Sequence, residues 1–168
     1  TETAAKFGAY CRKIAMNLLA SLPDAEEVEN DTWLAAWDSM PENRPARLAP
    51  YLGRITRNLA LDRLDQAAAQ KRGGGQAALL LDELAECLPA PDRVEQEVEA
   101  AELARQISAF LRAQPEPARS MFLRRYWYGD AIGEIAVRYG MPTGRVRVTL
   151  HRTRARLRQA LEREGVTV

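Results

Sequence analysis

Wherever this 168-residue chain is periodic, its apolar side chains recur at steps of three and four, the spacing that gathers them on one face of an α-helix. The first run, residues 4–22, sets Phe7, Tyr10, Cys11, Ile14, Leu18 and Leu22 on such a stripe, and Pro23 is expected to end it. A second helix is expected to open with Asp24 as N-cap and to run to about Met40, with Trp33 and Trp37 one turn apart. The stretch PENRPARLAP carries three prolines and reads as a loop. Pro50 then suits the first turn of a third helix, in which Leu52, Ile55, Leu59 and Leu64 form the buried stripe as far as about Gln70. With hydrophobic residues at 46% and charged residues at 28%, the chain has enough apolar side chains to bury such stripes, so the expected fold class is all-α.

Three glycines at 73–75 break the third helix, and the acidic stretch after them holds one apolar patch without a long amphipathic period. Residues 73–93 therefore read as a flexible acidic linker between two small helical domains, 1–72 and 94–168. A helix resumes near Val94 and runs to Ala113, and Pro115 and Pro117 introduce another that Gly129 ends. Two more follow, 131–139 and 144–163, joined by the turn Gly140-Met141-Pro142-Thr143. Short helix, glycine turn and longer helix is the spacing of a helix-turn-helix.

Charge is segregated along the chain although it sums to +1. Residues 1–72 carry ten basic and ten acidic side chains; residues 73–104 carry one arginine against eight acids; residues 105–168 carry thirteen arginines, no lysine and five acids. An arginine-only basic block reads as a phosphate-binding surface, because guanidinium forks match phosphate oxygens and base edges bidentately. In the last helix Val146, Leu150, Leu157 and Leu161 form the buried stripe. Arg145, Arg147, Arg152, Arg154 and Arg158 fall largely outside it, with no acid between residues 143 and 160. A solvated amphipathic helix would intersperse glutamates, so DNA binding is favoured over that reading.

Other chemistries find little support. Cys11 and Cys87 are far apart and read as reduced thiols, and with the single His151 they show no metal-ligand spacing, so neither a metal nor another cofactor is expected. No nucleophile motif or glycine-rich phosphate loop is present, so an enzyme is not expected. The N-terminus lacks the apolar core of a signal peptide and no run approaches a membrane span, so a cytoplasmic protein without a membrane span is expected.

The segment QPEPARSMFLRRYWYGDAIGEIAVRYGMPTGRVRVTLHRTRARLRQAL resembles region 4 of sigma-70-type initiation factors, with Glu134-Ile135-Ala136 at its core. DAEEVENDTWLAAW is similar to region 2.2 of the same family, and PYLGRITRNLALDRL to regions 2.3 and 2.4. With regions 2 and 4 alone, in that order, the chain resembles the extracytoplasmic-function (ECF) sigma factors over nearly its whole length. The resemblance implies a non-enzymatic initiation factor that recruits core RNA polymerase, through its β′ clamp helices and β flap, to promoter DNA. It also leaves room for an anti-sigma partner.

Residue by residue, the resemblance puts Glu27, Asn30, Asp31 and Leu34 on the polymerase. It puts Arg54, Arg57 and Asn58, on one helical face, at the minus-10 element, with Asn43, Arg44 and Arg47 in a loop, 43–49, that caps a flipped base. At the minus-35 element it gives Arg147, Val148, His151 and Arg152 the role of base readers and Arg119, Arg124, Arg145 and Arg154 that of phosphate contacts. The family's linker threads the RNA-exit path; alternatively the patch 78–88 docks on one of the domains and shields it. Departures are Tyr51 where tryptophan is common, DQAAAQ where a basic cluster is common, and Ala131 in place of a capping Ser or Thr, with Asp130 able to cap one residue earlier. The alternative from another class is an autonomous helix-turn-helix repressor, which leaves the acidic second helix unexplained.

Overall fold

The computed structural model describes residues 2–68, 76–89 and 97–168. They form eight helices, and the chain divides into two compact units, Thr1–Ala78 and Leu79–Val168.

In the N-terminal unit α1 (Glu2–Leu19), α2 (Leu22–Asn43) and α3 (Leu48–Ala68) pack on one another. The first break falls earlier than the sequence suggests. Ala20 takes a positive φ of 54°, and Ser21 rather than Asp24 is the N-cap, its Oγ accepting from the Asp24 amide at 3.5 Å. Pro23 starts α2 instead of ending α1, because a proline in the first turn lacks only an N–H that the helix leaves unused. Leu22 accordingly leaves the core stripe and is 51% exposed.

At its other end α2 continues through Pro41 to Asn43, and Arg44 closes it in the left-handed region, its N–H donating to the Met40 carbonyl at 2.9 Å. Pro41 costs one backbone bond near a helix end, too little to stop the helix there. The expected loop 43–49 thus shrinks to 44–47, and Pro50 sits in the first turn of α3 as expected. Cys11, Ile14 and Leu18 from α1 meet Ala25, Val28 and Ala36 from α2 and Leu52 and Ala60 from α3, all buried. Two threonines complete this core: the Thr32 and Thr56 hydroxyl oxygens lie 3.1 Å apart, and Thr56 donates to the Leu52 carbonyl at 2.9 Å. Gly53 lets α3 approach Tyr10, whose hydroxyl fills the space that a Cβ would need.

The C-terminal unit is built on α8 (Thr143–Arg163), against which α5 (Glu97–Ala113), α6 (Glu116–Tyr126) and α7 (Ile132–Tyr139) pack. Its expected stripe is buried, with Thr153 continuing the line between Leu150 and Leu157. Gly140 caps α7 at φ 60°, and Met141 donates to the Ala136 carbonyl at 3.0 Å, so the turn is closed on both sides. The N-cap position of α7 is Ala131. Its side chain cannot accept, and Glu134 instead receives the Ala131 N–H at 3.1 Å.

The segment read as a spacer departs from expectation. Residues 76–85 form α4 (Gln76–Ala85), and from Leu79 onward this stretch belongs to the C-terminal unit, which therefore begins well before residue 94. Leu80, Glu83, Leu84 and Cys87 fall at helical spacing. Leu80 and Cys87 are buried, so a short one-sided patch suffices to dock the segment. The glycine run 73–75 and the expected helix start at Val94 lie outside the described residues.

Candidate polymerase and nucleic-acid interfaces

On α2 the acidic residues expected to meet a partner are already engaged inside the unit. Arg63 of α3 reaches Glu27 at 2.5 Å, Asp31 at 3.4 Å and Asp24 at 3.8 Å. The Arg63 guanidinium holds the Glu27 carboxyl below the usual carboxylate range, by hydrogen bond first and by charge second. Asn30 is exposed, and Leu34 is 66% exposed. Sequence reasoning missed Trp37, which is 81% exposed one turn beyond Leu34, whereas Trp33 packs on the core. The available signal was the buried line Val28, Thr32, Ala36, off which both Leu34 and Trp37 fall. Large exposed apolar side chains side by side mark an interaction surface more often than isolated ones do.

Beside it, the minus-10 candidates divide. Asn43, Arg44, Arg47, Arg54 and Asn58 are exposed, with Arg54 lying 6.0 Å over the Tyr51 ring and the Asn43 side chain tied to the Ser39 carbonyl at 2.8 Å. Arg57 does not share that surface. It is partly buried, and desolvation lowers the pKa of its guanidinium, so the expected grouping of Arg57 with Arg54 and Asn58 is corrected. Tyr51, the departure from tryptophan, is itself buried, its hydroxyl 2.6 Å from Ser39 Oγ.

In the C-terminal unit the helix-turn-helix brings together Arg145, Arg147, Val148, His151 and Arg152, all exposed on the first turns of α8. Absence of acid there leaves the positive surface unneutralised locally, which favours an anionic partner. Arg119 is partly buried on α6. Arg124 donates to Asp130 at 3.5 Å and stacks 5.1 Å over Tyr128; Arg124 and Tyr128, with Ser120, Leu123, Arg138 and Tyr139, line an open cavity of about 360 Å³.

Arg154, expected as a phosphate contact, is paired within the unit. It donates to the Tyr126 hydroxyl at 2.6 Å and pairs with Glu86 at 3.2 Å and Glu83 at 3.7 Å, both from the α4 segment. Glu83 lies at the centre of this group. Its carboxylate also takes Arg125 at 2.8 Å and the Tyr126 hydroxyl at 2.7 Å. Burial works to raise the Glu83 pKa, but the bonds from Arg125 and Tyr126 outweigh it and leave the group below its ordinary value.

Comparison with known proteins bears on both units. The pattern described as sigma-70 region 2 matches residues 5–70, and the one described as ECF sigma factor matches residues 46–163. The chain is 30% identical over 149 residues, 88% of its own length, to a probable RNA polymerase sigma factor RfaY of Xanthomonas campestris pv. campestris. It is 28% identical over 154 residues, 91% of its length, to the ECF RNA polymerase sigma factor SigE of Mycolicibacterium smegmatis. It spans 36% and 58% of those two proteins. Among solved structures, the sigma factor RpoE in complex with the anti-sigma factor NepR from Bartonella quintana aligns with 96% of this chain and 95% of its own, at a TM-score of 0.41 and 17% identity. The region 2 match falls on the three-helix unit and the ECF match runs on through the helix-turn-helix to residue 163, so this chain belongs to the ECF sigma factor family.

Proposed function

We propose that this chain is a promoter-specificity factor without catalytic residues of its own: it binds core RNA polymerase through α2 and directs it to promoter DNA. The observation that carries the reading is the exposed pair Leu34 and Trp37 on α2, flanked by Asn30 and the Arg63-held acids. That surface suits a protein partner. Arg147, Val148, His151 and Arg152 are then the minus-35 base readers and Arg145 a phosphate contact. Asn43, Arg44, Arg47, Arg54 and Asn58 contact the minus-10 strand.

The test is a titration of labelled protein with bacterial core RNA polymerase in the absence of DNA, alongside a titration with duplex DNA in the absence of polymerase. Leu34→Ser and Trp37→Ser are better probes than charge reversal at Glu27 or Asp31, which would also release Arg63. Tight core binding that either substitution weakens at least tenfold, a loss of about 1.4 kcal/mol, is expected. Sequence-specific duplex binding with no affinity for core would establish the repressor instead.

A further inference from the structure

Four side chains on α8, Arg147, His151, Arg154 and Arg158, are spaced four, three and four residues apart and form one continuous line along the helix. The first two are exposed. The last two are met by the α4 segment: Glu83 and Glu86 pair with Arg154, and the Glu86 carbonyl accepts from Arg158 at 3.5 Å. Arg147 and His151 thus face solvent, Arg154 carries two carboxylates supplied by the segment that leads into the unit, and Arg158 pairs with Glu162 of its own helix at 2.9 Å.

We propose that the α4 segment is an intramolecular competitor of nucleic-acid phosphate: its Glu83 and Glu86 carboxylates occupy Arg154, and DNA engages the full stripe only when the segment undocks. This rests on the reading of α8 as the DNA-binding helix and adds a regulatory contact to it. A carboxylate and a phosphate oxygen make the same charge-assisted bonds to a guanidinium, so the two occupants exclude one another. The apolar part of the attachment is small, Leu80 and Cys87 being buried while Leu79 and Leu81 are more than half exposed, so the polar contacts of Glu83 and Glu86 carry much of the docking. Deleting the acids, or drawing α4 away onto a partner, would therefore raise the DNA affinity of the unit.

Cys87 supplies a built-in reporter. It is fully buried, its Sγ 3.3 Å from the Leu84 carbonyl, and burial pushes its thiol up to about 11, so docking protects it twice, by access and by scarcity of thiolate. In the full chain carrying Cys11→Ala, the reaction of Cys87 with a thiol reagent is followed with and without a saturating short DNA duplex. Duplex affinity is measured by fluorescence anisotropy across a salt series for the parent chain, Glu86→Gln, Glu83→Gln and the charge-matched control Glu102→Gln on α5. Glu86 is largely exposed, so its substitution tests the contact even where Glu83→Gln unfolds the unit.

The expected result is faster Cys87 modification on DNA binding and tighter binding by Glu86→Gln, with a salt dependence steeper by about 0.9 per arginine released. Glu102→Gln should change neither slope nor thiol protection. Cys87 protection unaltered by saturating DNA, with equal slopes for Glu86→Gln and the control, overturns the competition. If the parent binds duplex and Arg147→Ala weakens it, that failure leaves the DNA-binding reading of α8 standing. Absence of duplex binding in every variant overturns both.

Discussion

Glu83 is held by a buried arginine, a tyrosine hydroxyl and a second arginine, and its loss leaves Arg125 charged, 4% exposed and short of its main counter-ion. Glu83→Gln is expected to destabilise the C-terminal unit by about 3 kcal/mol, the usual cost of breaking a buried pair from one side. Hydrogen-exchange protection of the α8 amides would measure it. The same carboxyl fixes an acid limit. Because its folded pKa is depressed, its stabilisation is complete above the ordinary glutamate value of about 4.3 and is lost as pH falls through the lower folded value. The α8 protection should therefore fall on acidification below that range in the parent chain and much less in Glu83→Gln. None of this was legible locally. Glu83 and its partners Arg125, Tyr126 and Arg154 lie 42 to 71 positions apart along the chain, and a charged residue in an acidic stretch reads equally well as solvated. Arg63 gathering Asp24, Glu27 and Asp31 is the same case in the other unit.

At the scale of elements, α8 was the most legible, since its 3.6-residue stripe is a local property and its arginines could only lie opposite. Its exposed face gives two distinguishable outcomes. Arg147→Ala should cost about 1–3 kcal/mol at a cognate minus-35 site and relax preference at one base position. Arg145→Ala should weaken all duplexes alike and reduce the salt slope by about 0.9. Competition binding against cognate and scrambled duplexes at several salt concentrations separates them. For α2 the periodicity located the helix, while the choice of cap turned on Ala20 and Ser21, where a positive φ and a hydroxyl acceptor outcompeted Asp24. The spacing of α3 placed Arg57 beside Arg54 and Asn58, yet a few tens of degrees of helical arc separate a solvated guanidinium from a partly buried one. Helix spacing does not resolve that difference.

In the whole molecule, two cores are built from separate sets of helices, α1 to α3 in one and α5 to α8 in the other. Leu52 and Leu157 are fully buried, one in each. Each Leu→Ala substitution should cost about 2–5 kcal/mol, and the double variant should lose the sum to within about 0.5 kcal/mol, as read by denaturant unfolding with hydrogen exchange to assign each loss to its unit. Among the described residues no helix is long and apolar enough to cross a membrane. The sequence by itself determined the helical class, the order of the helices, the helix-turn-helix and the segregation of charge. All of these follow from near-neighbour spacing and composition, which a linear reading preserves. Only the tertiary structure decided that an acidic stretch is a docked helix, that Arg154 faces Glu83 and Glu86, that Arg57 turns inward and that Trp37 turns out. Those outcomes depend on which side chains distant segments bring within a few ångströms, and burial and Coulomb attraction act on distance in space rather than on separation along the chain.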